Sequence, residues 1–135
     1  MSKSRRIELR ESYMQGWYQM DLEMLMASTA ADFIFDDPAE PEAVTRTTLP
    51  GYMHRWDKRT RALGGNNQWR LTHESRIDKN GILTDWEWWE LIDSGLQGAA
   101  LVLTGNAGVL LERITYFDRH VRNGDDEINT PAATN

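Results

Sequence analysis

Residues 13–38 read YMQGWYQMDLEMLMASTAADFIFDDP, and the hydropathy pattern changes twice along them. Up to Met20 the apolar groups fall three to four apart (Ile7, Met14, Trp17, Tyr18, with Arg10 in the same rhythm), which predicts a helix over 7–20. Asp21 then N-caps a second, shorter helix through Leu22, Leu25 and Met26, because its carboxylate accepts the orphan N–H groups of the first turn. After Ala30 the pattern switches to alternation, with Phe33, Phe35 and Asp37 on one face and Asp32, Ile34 and Asp36 on the other. Pro38 stops this short strand, since it has no N–H to give a ladder.

Outward from the stretch, residues 39–46 form a loop containing a second proline. A third helix starts at Thr47 or Thr48, tolerates Pro50 in its first turn and carries Leu49, Tyr52, Met53, Trp56 and Leu63 as its apolar stripe. Gly64-Gly65 ends it. From Gln68 the chain reads as strands: Trp69, Leu71, His73, Ser75 and Ile77 alternate with polar neighbours, and Asp78-Lys79-Asn80-Gly81 supplies a turn. Further strands follow over 82–91, 96–103 and 109–120, the last two separated by a Gly- and Asn-containing turn at 104–108. Helices followed by a meander predict an α+β fold, a curved sheet over about three N-terminal helices. Residues 1–120 are expected to form one domain, and the polar tail 121–135, with Asp125-Asp126-Glu127 and no packing pattern, is expected to be disordered.

Composition narrows the function classes. The chain has 135 residues, room for one domain with a real core. It has no cysteine, which excludes a disulfide scaffold, Cys-ligated metal and thiol catalysis. A net charge of −6 speaks against binding nucleic acid, whose affinity comes from neutralising phosphates. No run approaches the roughly 18 apolar residues of a membrane span, and the basic start lacks the apolar core of a signal peptide, so a cytoplasmic protein without membrane contact is expected. Six tryptophans, four tyrosines and three phenylalanines are a heavy aromatic load for so polar a chain.

Asp37 ends a strand whose inward face is otherwise Phe33 and Phe35. A carboxylate projecting into apolar space has its pKa raised by desolvation, towards the range useful to a general base. Asp36-Asp37-Pro38 is equally an ordinary solvated turn sequence, and spacing alone leaves both readings open.

Tyr13, Asp21-Leu22, Ala31-Asp32 and Asp36-Asp37-Pro38 together resemble, in register and without a gap, the N-terminal third of the NTF2-like, SnoaL-like superfamily, and within it the Δ5-3-ketosteroid isomerases. The resemblance implies the NTF2-like cone. It places Asp37 where the isomerase has its proton-shuttling base and Tyr13 where it has an oxyanion-hole tyrosine, and it implies proton abstraction beside a carbonyl without a cofactor. The isomerase has a second oxyanion donor, a neutral carboxylic acid on the penultimate strand. Aligning the turn glycine Gly108 puts Ala100 there, and losing one such donor costs on the order of 3 kcal/mol unless another group replaces it. His73, on the alternating face with Trp69 and Leu71, is the candidate replacement, and equally a core histidine partnered by backbone or Asp85.

In Asp85-Trp86-Glu87-Trp88-Trp89-Glu90, alternation sends Trp86, Trp88 and Glu90 to one face and Asp85, Glu87 and Trp89 to the other. The first set is expected on the concave side. Trp17, Phe33, Phe35, Tyr52, Trp56, Trp69, Trp86, Trp88 and Phe117 then line a cone fitted to a small hydrophobic or aromatic ligand, with Glu90 and Asp118 as further carboxylates at its wall and mouth. SnoaL-like cyclases carry an acid–base aspartate on a strand, which makes a polyketide-cyclase-like role for Asp118 an alternative. A non-catalytic binding or dimerisation module is another. A homodimer through the sheet is what the superfamily implies. Asp36, Asp37, His73 and Asp118 are ligand types without the short fixed spacing of a metal motif, so no metal is expected, and nothing matches a phosphate loop or dinucleotide fingerprint.

Overall fold

A computed structural model describes residues 3–64 and 68–117. Asp118, the end of the expected 109–120 strand and the tail 121–135 lie outside the described residues. The chain runs α1 (Lys3–Gln19), α2 (Leu22–Ser28), β1 (Thr29–Asp36), β2 (Val44–Thr45), α3 (Leu49–Ala62), β3 (Trp69–Lys79), β4 (Ile82–Leu91), β5 (Gln97–Gly105) and β6 (Gly108–Tyr116). One six-stranded sheet has the order β2-β1-β6-β5-β4-β3. β1 and β6 run parallel and the other neighbours antiparallel, the mixed sheet of an α+β cone.

Local chemistry sets the frame. Asp21 caps α2 as expected, its Oδ1 accepting from Met24 N at 3.1 Å. Gly108 lets β6 start hard against β1: its φ is +137°, and a Cβ there would lie 2.6–2.8 Å from backbone atoms of Ser28, Thr29 and Ala30. Between the helices and the inner face of the sheet, Tyr13, Leu25, Phe33, Leu49 and Tyr52 are almost completely buried. Each such side chain contributes about 1.5–3 kcal/mol relative to exposure. β2 falls inside the expected 39–46 loop; two residues are too few to show a periodicity.

Three expectations about sheet faces are corrected. In β3, Leu71 pairs with Trp89 but His73 pairs with Trp88, so Thr72 is an extra residue, a β-bulge. Alternation breaks there: Trp69 and Leu71 face inward, while His73, Ser75 and Ile77 face outward. In β4 the inner face is Leu83, Asp85, Glu87, Trp89 and Leu91, all buried. Trp86, Trp88 and Glu90 are on the outer face, the two indoles 46% and 37% exposed and Glu90 tied to Arg70 at 2.5 Å. Phe117 is 48% exposed, because Tyr116 takes the inward position opposite Gly98 and its successor turns away.

Candidate functional site

A cavity of about 60 Å³ lies between α1, α3 and the inner face of β3–β6. Its wall is aromatic, with Trp17, Phe35, Tyr52, Trp56 and Trp69 present as expected and Trp89 in place of Trp86 and Trp88. Phe33 is buried just behind the wall, its ring 5.8 Å from that of Tyr13. The polar lining is Arg10, Tyr13, Glu87 and Glu112, of which the sequence singled out Tyr13 alone as functional.

Sheet register explains how these groups meet. Asp85 on β4 stands opposite Val102, which stands opposite Glu112 on β6; one row along, Glu87 is opposite Ala100, which is opposite Ile114. Small Ala100 leaves the floor open. Over it, α1 lowers Arg10, which is 2% exposed, donates from Nη2 to Glu87 Oε2 and holds its Nε 3.4 Å from Asp85 Oδ2. Arg76 Nε donates to Asp85 Oδ1 at 2.7 Å, so two cations answer two carboxylates. That compensation is why acids, and not the neighbouring tryptophans, occupy the inner face; removing one partner of such a buried pair costs about 3–5 kcal/mol.

Among the described residues Glu112 has no cation of its own at ion-pair distance. The Tyr13 Oη donates to its Oε1 at 2.5 Å. Burial pushes the Glu112 carboxyl above the usual carboxylate range, against the opposing pull of that hydrogen bond and of Arg10. Burial likewise drives the Tyr13 phenol well up, and the charge of Glu112 adds to it. Glu112 is packed round by protein, retains some accessible surface and is among the residues that line the cavity.

Asp37 is placed differently. Its side chain has no exposed surface and is not part of the cavity wall. Oδ2 accepts from Tyr52 Oη at 2.6 Å, Tyr116 Oη at 2.8 Å and Arg59 Nη2 at 3.2 Å, and Oδ1 accepts from Ala39 N at 2.8 Å. Arg59 continues to Glu40 at 3.3 Å, whose carboxyl is held below its usual value chiefly by the Arg55 hydrogen bond. Burial followed by the nearby Asp37 charge pushes the Tyr52 and Tyr116 phenols up. Asp37 meets the cavity only through the Tyr52 ring, which lines it.

His73 stands on the outer face with its ring edge-on to Trp88, centroids 5.6 Å apart, away from Tyr13 and Asp37. Glu112 and Tyr116 were missed although parity carries a signal for both: with Ile114 they form an i, i+2, i+4 set on the last strand. Glu87 and Trp89 share parity with Leu83 and Leu91, the plainly apolar ends of β4. Among the described residues no group of three or more His, Asp or Glu is arranged to hold a metal ion, and no helix is long and apolar enough to cross a membrane.

No protein-family model and no curated protein matches the sequence. Solved structures match in shape. A candidate ketosteroid isomerase from Kribbella flavida is 13% identical with a TM-score of 0.58, the match covering 96% of this chain and 86% of that one. A candidate polyketide cyclase from Sinorhizobium meliloti is 9% identical with a TM-score of 0.59, covering 80% and 94%. An NTF2-like protein of unknown function from Cytophaga hutchinsonii is 8% identical with a TM-score of 0.55, covering 85% and 91%. With its three helices laid in a curved mixed sheet, this chain has the NTF2-like fold that its sequence resemblance implied.

Proposed function

We propose that the protein is a cofactor-free acid–base enzyme of the isomerase or lyase type, acting on a small hydrophobic carbonyl compound held in the aromatic cavity. Similarity in fold to a candidate isomerase and a candidate cyclase is consistent with this class. The observation that carries it is Glu112, a carboxyl enclosed by protein that lines the cavity, with Tyr13 at 2.5 Å. A carboxylate made more basic by burial is suited to take a proton near neutral pH. When the ligand enters, the Tyr13 hydroxyl turns from Glu112 to the ligand carbonyl oxygen. The C–H bond beside the carbonyl then breaks, Glu112 takes the proton, and the enolate oxygen is stabilised by the Tyr13 O–H. Return of that proton from Glu112 to another carbon gives an isomerase; where the enolate instead expels a β-leaving group with its bonding electrons, passing that proton to the departing group gives a lyase.

Tyr13 keeps the role that the resemblance implied, and the base moves from Asp37 to Glu112. Asp37 has four protein donors and no surface on the cavity, so in this reading it anchors Tyr52 and Tyr116. Exchange of the acetyl protons of 4-ethylacetophenone in D2O, followed by NMR, tests the proposal. The protein should accelerate exchange, and Glu112→Gln should cut the acceleration by about 10²-fold or more. No acceleration, or a variant equal to wild type, overturns it; binding of the ketone without exchange would leave a ligand-binding module.

A further inference from the structure

Tyr13 is the donor of the proposed reaction, and the face of α1 that presents it has two neighbours on the cavity wall, Arg10 one turn before it and Trp17 one turn after it. Arg10 is committed to Glu87 and Asp85. Trp17 is not committed: its indole Nε1 is buried and has no hydrogen-bond partner. Native interiors seldom keep such a donor without a reason. A ligand oxygen is not that reason, because protein covers the nitrogen even though Trp17 lines the cavity.

The neighbours of the ring point to an acceptor inside the protein. The indole packs edge to face with Phe35, Tyr52 and Tyr13, centroids 5.7, 6.0 and 6.5 Å away. Phe35 has no side-chain acceptor, and the Tyr52 hydroxyl is engaged with Asp37 at 2.6 Å. That leaves the Tyr13 oxygen. At rest Tyr13 Oη is drawn to Glu112 at 2.5 Å, and the indole N–H makes no hydrogen bond with it. The two groups are nonetheless close enough to interact. Burial and then Glu112 drive the Tyr13 phenol up, and the Trp17 N–H acts in the opposite sense, as a donor beside that oxygen does. A phenol whose oxygen accepts a hydrogen bond is the stronger donor to a third group.

We infer that Trp17 is a positioning residue for this reaction: when the Tyr13 hydroxyl leaves Glu112 for the ligand oxygen, the Trp17 indole N–H donates to Tyr13 Oη and holds the phenol in its donating position. This rests on the proposed proton abstraction. The hydrogen bond is absent in the resting protein and present as the enolate forms, so it contributes to turnover and not to the resting fold.

A double-mutant cycle of Trp17→Phe with Tyr13→Phe tests it, read by deuterium exchange into acetone, the smallest ketone, and into 4-ethylacetophenone. Trp17→Phe keeps an aromatic ring and deletes a donor that bonds nothing at rest. In the wild-type background it should lower exchange per folded protein by about 2- to 10-fold, the range of one neutral hydrogen bond. In the Tyr13→Phe background, where no oxygen is left to hold, it should change nothing, whereas a merely structural loss lowers both backgrounds alike. No loss in wild type, or the same loss in both backgrounds, overturns the inference and leaves the proposed function standing. Wild type alone gives a second reading. With tryptophan isotopically labelled, the Trp17 indole N–H resonance, recognised by its contacts with the Tyr13 ring, should move downfield when ketone is added, and an unmoved resonance overturns the inference whatever the variants do. If wild type exchanges neither ketone, the proposed function falls and the inference with it.

Discussion

Asp37→Asn separates a structural carboxylate from a catalytic one. Oδ2 accepts from two tyrosines and Arg59, and Oδ1 from the Ala39 amide. An asparagine offers one carbonyl oxygen and one NH2 in the same volume. With the oxygen in the Oδ2 position, the phenols keep their acceptor, the NH2 faces the Ala39 N–H, and Arg59 loses its charged partner. The reverse orientation sets the NH2 against three donors. Breaking a buried ion pair costs about 3–5 kcal/mol, and the partial exposure of Arg59 with its second bond to Glu40 brings the estimate to about 3 kcal/mol. At about 3–5 °C per kcal/mol for a domain of this size, the midpoint of thermal unfolding should fall by roughly 10–15 °C. Circular dichroism against temperature reads the first quantity. Deuterium exchange of the ketone, measured well below both transitions and normalised to folded protein, reads the second and should change by less than about 3-fold. A midpoint within about 2 °C of wild type together with an exchange rate lowered by about 10²-fold would refute the reasoning and return the base to Asp37.

Three further outcomes follow from the same geometry. The Glu112 carboxyl is raised above its ordinary 4.5 by burial, so the folded state holds this proton more tightly than the unfolded chain. Its contribution to stability is full below pH 4.5 and is lost as pH rises through the folded pKa. Glu112→Gln lacks this loss, and its stability relative to wild type, from urea unfolding at about pH 4 and about pH 8, should increase with pH; parallel profiles would remove the burial argument. Ala100→Leu puts a larger side chain on the cavity floor between Glu87 and Ile114. It should cost about 1–3 kcal/mol of stability from overpacking and weaken 4-ethylacetophenone binding by about 10-fold or more in calorimetry; unchanged affinity would place the ligand elsewhere. The outer face presents Trp86, Trp88 and Ile77, the last 62% exposed. If the sheet pairs with a second copy there, sedimentation should give the mass of two chains for wild type and one for Trp88→Arg, and a one-chain mass for wild type would overturn the homodimer.

The element order was legible because its signals are local. Asp21 as a cap, Pro38 as a stop, the two-residue alternation of 33–37 and the turn at 78–81 each act within a few residues, and the structure contains each element they predicted. Faces of the later strands were legible only where nothing interrupts the alternation. A single bulge at Thr72 reverses every later residue of β3, which took His73 from the cavity to the outer surface. In β4 hydrophobicity itself misled: three tryptophans among three acids favour the indoles as the inner set. The deciding facts are the cations Arg10 and Arg76, the first 75 residues away on another element, which make two buried carboxylates tolerable and leave two indoles outside. No pattern within β4 encodes that partner, although Leu83 and Leu91 did mark the inner parity.

The motif at the end of β1 illustrates why a fold signature and an active-site residue are separable. A buried carboxylate at that position receives a hydrogen bond from the following loop at Ala39, two bonds from α3 through Tyr52 and Arg59, and one from the end of β6 through Tyr116. It thereby joins the open end of the cone in one cluster, and an apolar residue there would leave those phenols and the guanidinium without their acceptor. That duty is sufficient reason for an aspartate before proline at a strand end, whatever reaction the cone performs. Chemistry is then free to reside wherever the inner face leaves a titratable group with surface on the cavity. In the proposed reaction that group is Glu112, which lies one row from the small Ala100 on the neighbouring strand and lines the cavity.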